Sequence, residues 1–249
     1  MSKTILAAAL GLALRSALPA QLVDVNVHAG YTTFAMGDLN SANNSLWGYN
    51  MGYPAYNGYY YYGIDRGVVA GVDLTTSRFL PVQGLVWGLR SEAMQSNLAE
   101  FKADNVPPYS IGAQYTDRAT LTTVLVGGKY SLPFVTDGLS LGLGAWAGGG
   151  YGVLDQHATQ DLTGPYSIQN GVFSAMLPVA ELESSVDYKL GSHVSVSLSG
   201  GWRWADAPQV KNGGEALYNN WQKWYNATKS PVNVDFSGAT AQGSVSYSF

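Results

Sequence analysis

Apolar and polar residues take turns along most of this chain. The last twelve residues, GATAQGSVSYSF, set Ala239, Ala241, Gly243, Val245, Tyr247 and Phe249 against Thr240, Gln242, Ser244, Ser246 and Ser248. A period of two belongs to a β-strand, whose successive side chains leave opposite faces. VSVSLSGGWRW separates Val194, Val196, Leu198, Gly200, Trp202 and Trp204 from Ser195, Ser197, Ser199, Gly201 and Arg203 in the same way, and VDVNVHAGYT separates Val23, Val25, Val27, Ala29 and Tyr31 from Asp24, Asn26, His28 and Gly30. Less regular stretches of this kind run over 67–79, 85–98, 119–131 and 171–190. The uncharged run 138–154, GLSLGLGAWAGGGYGVL, has the length of a buried or membrane helix. Seven of its seventeen residues are glycine, however, and its leucines fall at 139, 141 and 143, so it too reads as a strand. With 139–154 and 235–249 the pattern predicts eight strands.

The connections alternate in length. Those after the second, fourth and sixth strands are short (LPVQG, LPFVTDG and GSH) and contain Gly or Pro. Those after the first, third, fifth and seventh are long, near 35–66, 99–118, 155–170 and 207–234. An antiparallel up-and-down sheet with tight turns at one end and long loops at the other is the layout of a transmembrane β-barrel. No linker or internal repeat interrupts it.

The polar faces carry Asp73, Arg90, Glu92, Lys129, Glu181, Glu183, Asp187, Lys189 and Arg203, while the alternate faces are mainly Val, Leu, Ala, Gly, Tyr and Trp. Alternation alone does not say which face is inside, because a soluble lipocalin-like barrel would bury the apolar set. Composition bears on the choice. Only 12% of the 249 residues are charged, about half the share of a soluble domain. The N-terminus bears on it too: Lys3, an apolar run from Ile5 to Leu14 and Leu18-Pro19-Ala20 predict a secretory leader over 1–20, cut before Gln21, with residues 21–249 forming the barrel. The leader, the loop asymmetry and the aromatic terminus together turn the apolar set towards lipid. Tyr31, Trp87, Tyr188, Trp202, Trp204, Tyr247 and Phe249 then form interfacial girdles. A net charge of −4 with no Lys/Arg-rich run argues against nucleic acid, and the absence of cysteine excludes disulfides and thiol chemistry.

On these features the whole mature chain resembles the small eight-stranded outer-membrane barrels of diderm bacteria, the OmpA-like transmembrane barrel class. The resemblance implies a monomer in the bacterial outer membrane, in contact with its lipid and lipopolysaccharide. GSVSYSF is similar to the C-terminal signature that such proteins present to the barrel-assembly machinery, which implies that Val245, Tyr247 and Phe249 are an assembly signal.

Eight strands enclose a lumen that side chains can fill. Arg90, Glu92, Lys129, Glu181, Glu183, Asp187 and Arg203 are therefore expected to close it by ion pairing, with an Arg–carboxylate pair involving Arg90 or Arg203. The alternative is a narrow pore for small solutes. Some small barrels are lipid A deacylases or acyltransferases. A matching triad here would come from His157 with Ser167 or Ser174 and Asp155 or Asp161, although nothing in the spacing demands it; His28 belongs to the lumen and His193 to a short turn. No metal-ligand spacing, phosphate-binding loop or cofactor motif is present. The first long connection is aromatic-rich (Trp47, Tyr49, Tyr59, Tyr60, Tyr61, Tyr62), and so is the fourth (Trp221, Trp224, Tyr225). Such composition suits loop packing, headgroup seating or recognition of a sugar or protein. Asp38 is expected to cap a short helix. The sequence therefore predicts a non-enzymatic barrel serving envelope integrity or surface interaction.

Overall fold

A computed structural model describes residues 23–41, 63–77, 82, 84–106, 111–136, 138–158, 170–217 and 231–249, with backbone only at 101–106, 111–115, 133–136 and 158. The wall is built from β1 (Asp24–Thr33), β2 (Arg66–Thr76), β3 (Leu85–Ser96), β5 (Ile111–Thr136), β6 (Leu139–Ala158), β7 (Gly171–Lys189), β8 (Val194–Trp204) and β13 (Gly238–Ser248). Each pairs antiparallel with its neighbour in sequence. The ring closes where β13 pairs with both β8 and β1, with Val25 opposite Tyr247 and Val27 opposite Val245. Closure leaves no wall edge unpaired, as a bilayer requires of any sheet that crosses it.

Two of the short turns rest on glycine in the left-handed region: Gly84 (φ 83°) before β3 and Gly138 (φ 97°) before β6. LPFVTDG is a shorter turn than its sequence suggests. The strand continues through a bulge between Pro133 and Thr136, where a missing proline N–H is tolerated, and β6 begins directly after Gly138.

Long connections carry structure of their own. The second, expected as a polar loop, is a hairpin in which β4 (Ala99–Val106) pairs with the first part of β5. Asn97 and Leu98 separate it from β3 and shift the parity, so that Ala99 is buried and Leu98 exposed. The fourth forms β9 (Asp206–Ala207), β10 (Lys211–Asn212), β11 (Glu215–Ala216) and β12 (Val234–Asp235). β12 pairs with β9, so the wall strand begins at Gly238 rather than at residue 235. After β1 a helical turn covers 37–41, with the Met36 carbonyl accepting from Asn40 N–H. Asp38 is therefore inside the first turn and not at its cap. The predicted leader, 1–20, lies outside the described residues.

The facing assignment is unambiguous. Met176, Tyr31 and Leu198 on the outside are 76%, 75% and 72% exposed, and Val27, Val124, Val126, Leu143 and Leu182 share that outer surface. Inside, Asp73, Arg90, Glu92, Glu181 and Arg203 are buried. Trp87, Tyr130, Tyr188 and Tyr247 ring the turn end, while Tyr31, Tyr151, Trp202 and Trp204 lie towards the loops. An outside this apolar is stable only against hydrocarbon, with aromatic rings at its two interfaces.

Candidate functional site

The lumen is stratified. In the loop half many inward positions are apolar: Val69, Met94, Leu121, Leu125, Leu154, Phe173, Leu177 and Val179 are buried there, with Thr123, Gln156 and Arg203 among them. Phe34, Met36, Leu39 and Ile64 from the first connection, and Val210, Leu217, Val232, Val234 and Phe236 from the fourth, join the same cluster. Room for it comes partly from Gly152 on β6, where a Cβ would stand 2.6 Å from the Phe236 ring. The prediction of a lumen filled by ion pairs missed this apolar plug. Its signal was the irregularity of 119–131 and 171–190, where both faces of the strand are apolar.

Below the plug lies a charged layer centred on Arg90 of β3. Its Nε and Nη2 donate to Asp73 of β2 at 2.9 and 3.1 Å. Nη1 and Nη2 donate to Glu183 of β7, both at 2.9 Å, and Nη1 also reaches Glu181 at 3.4 Å. One guanidinium thus joins β2 to β7 across the lumen through two bidentate pairs, the geometry that a planar five-donor fork favours. Its Cζ sits 4.2 Å from the Trp146 ring centroid, and Trp146 Nε1 donates to Glu183 at 3.1 Å. Gly144 leaves the space that Glu183 occupies, since a Cβ there would stand 2.6 Å from Glu183 Oε1.

The acids have further partners. Glu92 Oε1 lies 3.0 Å from His28 Nε2 and accepts from Gln242 Nε2 at 3.2 Å. Asn26 donates to Asp73 at 2.9 Å and is itself held by Ser246 Oγ at 2.9 Å. Nearer the turns, Lys129 Nζ donates to Asp187 at 2.6 Å, with Ser185 Oγ on the other carboxylate oxygen at 3.2 Å. Asp73, His28, Trp146 and Gln242 were not among the predicted ion-pair residues. All were legible by strand parity, His28 and Asp73 as members of polar faces and Trp146 as an even-numbered residue in a strand whose odd-numbered leucines face out.

Arg203 behaves differently from the expectation of an acidic partner. It is 0% exposed, and its Nε and Nη2 donate to the Phe236 carbonyl at 3.1 and 2.8 Å, with Nη2 also on Thr32 Oγ1 at 3.1 Å. Its Cζ is 5.7 Å from the Phe34 ring centroid. Among the described residues no carboxylate forms an ion pair with it. The reason is the early end of β13: Gly238 is the residue opposite Arg203, so the chain before it folds into the barrel mouth and presents a carbonyl where a side chain was expected.

The triad residues that are described do not converge. Ser174 is paired with Val153, four residues along β6 from His157, a separation of about 13 Å at strand rise and far beyond hydrogen-bond reach. Ser167 and Asp161 lie outside the described residues, as do Trp47, Tyr49, Tyr59, Tyr60, Tyr61, Tyr62, Trp221, Trp224 and Tyr225. No cluster of three or more metal-ligating side chains occurs among the described residues. At the terminus Val245 and Tyr247 face outwards, the Tyr247 ring meets Phe249 edge-on at 4.7 Å, and Phe249 N–H donates to Val23 O at 3.1 Å.

No protein-family model and no curated protein sequence matches the chain. Among solved structures it is similar to Neisserial surface protein A, at 11% identity over 92% of this chain and 96% of that one with a TM-score of 0.39. It is also similar to Ail, the attachment invasion locus protein of Yersinia pestis, solved with the heparin analogue sucrose octasulfate (10% identity, 93% and 100% covered, TM-score 0.37). A third is the translocator domain of the autotransporter NalP from Neisseria meningitidis (12% identity, 98% and 96% covered, TM-score 0.34). The closed antiparallel wall, its apolar outside and its polar interior are this chain's own evidence, and by that architecture it is an eight-stranded transmembrane β-barrel.

Proposed function

We propose that the barrel is a closed, non-enzymatic anchor whose role, envelope integrity or surface interaction, is carried by what it displays outside the membrane. The observation behind this reading is the filling of the lumen. Apolar side chains occupy the loop half, and below them the Arg90 network spans from β2 to β7. An ion would have to displace the first and break the second. In this reading the protein is a monomer seated in outer-membrane lipid and lipopolysaccharide. The barrel-assembly machinery places it there through Val245, Tyr247 and Phe249, and the aromatic-rich connections form the surface that meets a ligand.

Purified protein in planar bilayers is expected to give no channel current, and no acyl release or transfer when incubated with lipid A. A steady, ion-selective current would replace the anchor with a pore, and turnover of lipid A would replace it with an enzyme.

The turn half of the lumen supports a finer expectation. There the inward residues of β8 and β13 are serines, with Ser197 opposite Ser244 and Ser195 opposite Ser246, and all four are partly accessible. Thr123, towards the loops, is 0% exposed. Water therefore enters from the turn end and stops at the charged layer. Cysteine at Ser197 or Ser246 is expected to react with a membrane-impermeant maleimide supplied from the periplasmic side, and cysteine at Thr123 to stay unreactive from both sides. Labelling at Thr123 would show a through-path.

A further inference from the structure

The outer surface is not uniformly ridged. Between β6, β7 and β8, in the turn half of the wall, lies a groove of about 350 Å³. Its sides are Leu141, Leu143, Val186 and Leu198, all exposed, with Leu132 at one end. Its floor is the cross-strand pair Ser184 and Gly200. Two features make that floor apolar and deep. The Ser184 hydroxyl is turned onto the Gly200 carbonyl at 3.3 Å, so its one donor is spent within the wall. Gly200 contributes no side chain, although one would fit: a Cβ there would meet nothing closer than the Thr240 carbonyl at 3.6 Å, ordinary contact. Packing within the barrel therefore does not require glycine at this position.

We infer that this groove holds one acyl chain of a phospholipid from the periplasmic leaflet as a resident ligand, bound more durably than the lipid around it. The occupant follows from where the groove lies. It is continuous with the hydrocarbon-facing surface already described, so acyl chains are what it meets. It also lies in the half of the wall that ends in Tyr188 and the short turns, the periplasmic half in the barrel orientation with long loops outside. Val186 and Leu198 stand beside the Ser/Gly floor along its strands and Leu143 stands beside it on β6, so an unbranched chain lying there has contact beneath it and on two flanks, where a flat wall would give it one. The inference rests on the lipid-facing assignment and adds to it a defined site and a leaflet.

The test uses full-length protein released from outer membranes in mild detergent and analysed by native mass spectrometry, with bound lipid identified after extraction. Wild-type protein is expected to carry one phospholipid per barrel. Gly200→Leu, which fills the groove, is expected to lower that occupancy at least tenfold. Gly149→Leu, on the outer face of β6 where a Cβ would meet only Leu177 O at 4.0 Å, is expected to retain it. Heat-dependent gel migration checks that each variant is a closed barrel. Wild type without stoichiometric phospholipid, lipopolysaccharide in its place, or equal occupancy in wild type and Gly200→Leu would each overturn the site. Recovery of the protein from the soluble fraction would instead sink the lipid-facing assignment, so the two failures are distinguishable.

Discussion

Replacing Arg90 by methionine is expected to destabilise the barrel by roughly 3–5 kcal/mol, the cost of leaving buried charge without its partner. Three carboxylates, those of Asp73, Glu181 and Glu183, lose a donor at once, and the nearest other guanidinium, Arg203 across the strand from Glu181, is already committed to the Phe236 carbonyl and Thr32. The measurement is urea unfolding of the protein folded into lipid vesicles. Two comparisons make it specific. The triple variant Arg90→Met, Asp73→Asn, Glu183→Gln is expected to recover much of the loss, because the cost lies in the stranded acids more than in the missing arginine. Arg203→Met, which frees a carbonyl and a hydroxyl but no acid, is expected to cost only about 1–3 kcal/mol. If Arg203→Met proved the more damaging of the two, the charged layer would not be what holds the lumen together.

Phe249→Ser, or deletion of Phe249, is expected to reduce the amount of barrel assembled in cells severalfold while leaving the assembled product nearly as stable as wild type. Inside the finished wall this residue donates its backbone N–H to Val23 O and meets Tyr247 edge-on, and removal of a partly exposed ring from the end of a strand is worth about 1 kcal/mol or less. A large fall in yield with little change in unfolding would therefore report on recognition during assembly. Normal assembly of both variants at ordinary expression would remove the assembly role from Val245, Tyr247 and Phe249.

The wall was readable because its physics is local. Strand parity fixes which side of the sheet a residue faces, and one statement about the environment, that lipid lies outside, then orients all eight strands. Asp73 and Trp146 follow from that rule as readily as Arg90. The plug did not follow, because it depends on segments far apart in sequence folding into the same mouth. Nothing near Phe236 announces that its ring will lie over Gly152 or that its carbonyl will take Arg203. Parity could place Arg203 inside, but its partner was decided by where β13 starts, and element boundaries are set by competition between neighbouring pairings. The β4 hairpin was missed for the opposite reason: its alternation was present, and only the assumption that a long connection must be a loop concealed it.

The wall also has two heights. A membrane-crossing strand needs about 9–11 residues, and β1, β2, β8 and β13 have 10, 11, 11 and 11, whereas β5, β6 and β7 have 26, 20 and 19. With β3, which has 12 residues, the short strands are contiguous, in the order β3, β2, β1, β13, β8. The molecule therefore presents a parapet on one side and a threshold on the other. Both aromatic-rich connections spring from the threshold, one between β1 and β2 and the other between β8 and β13.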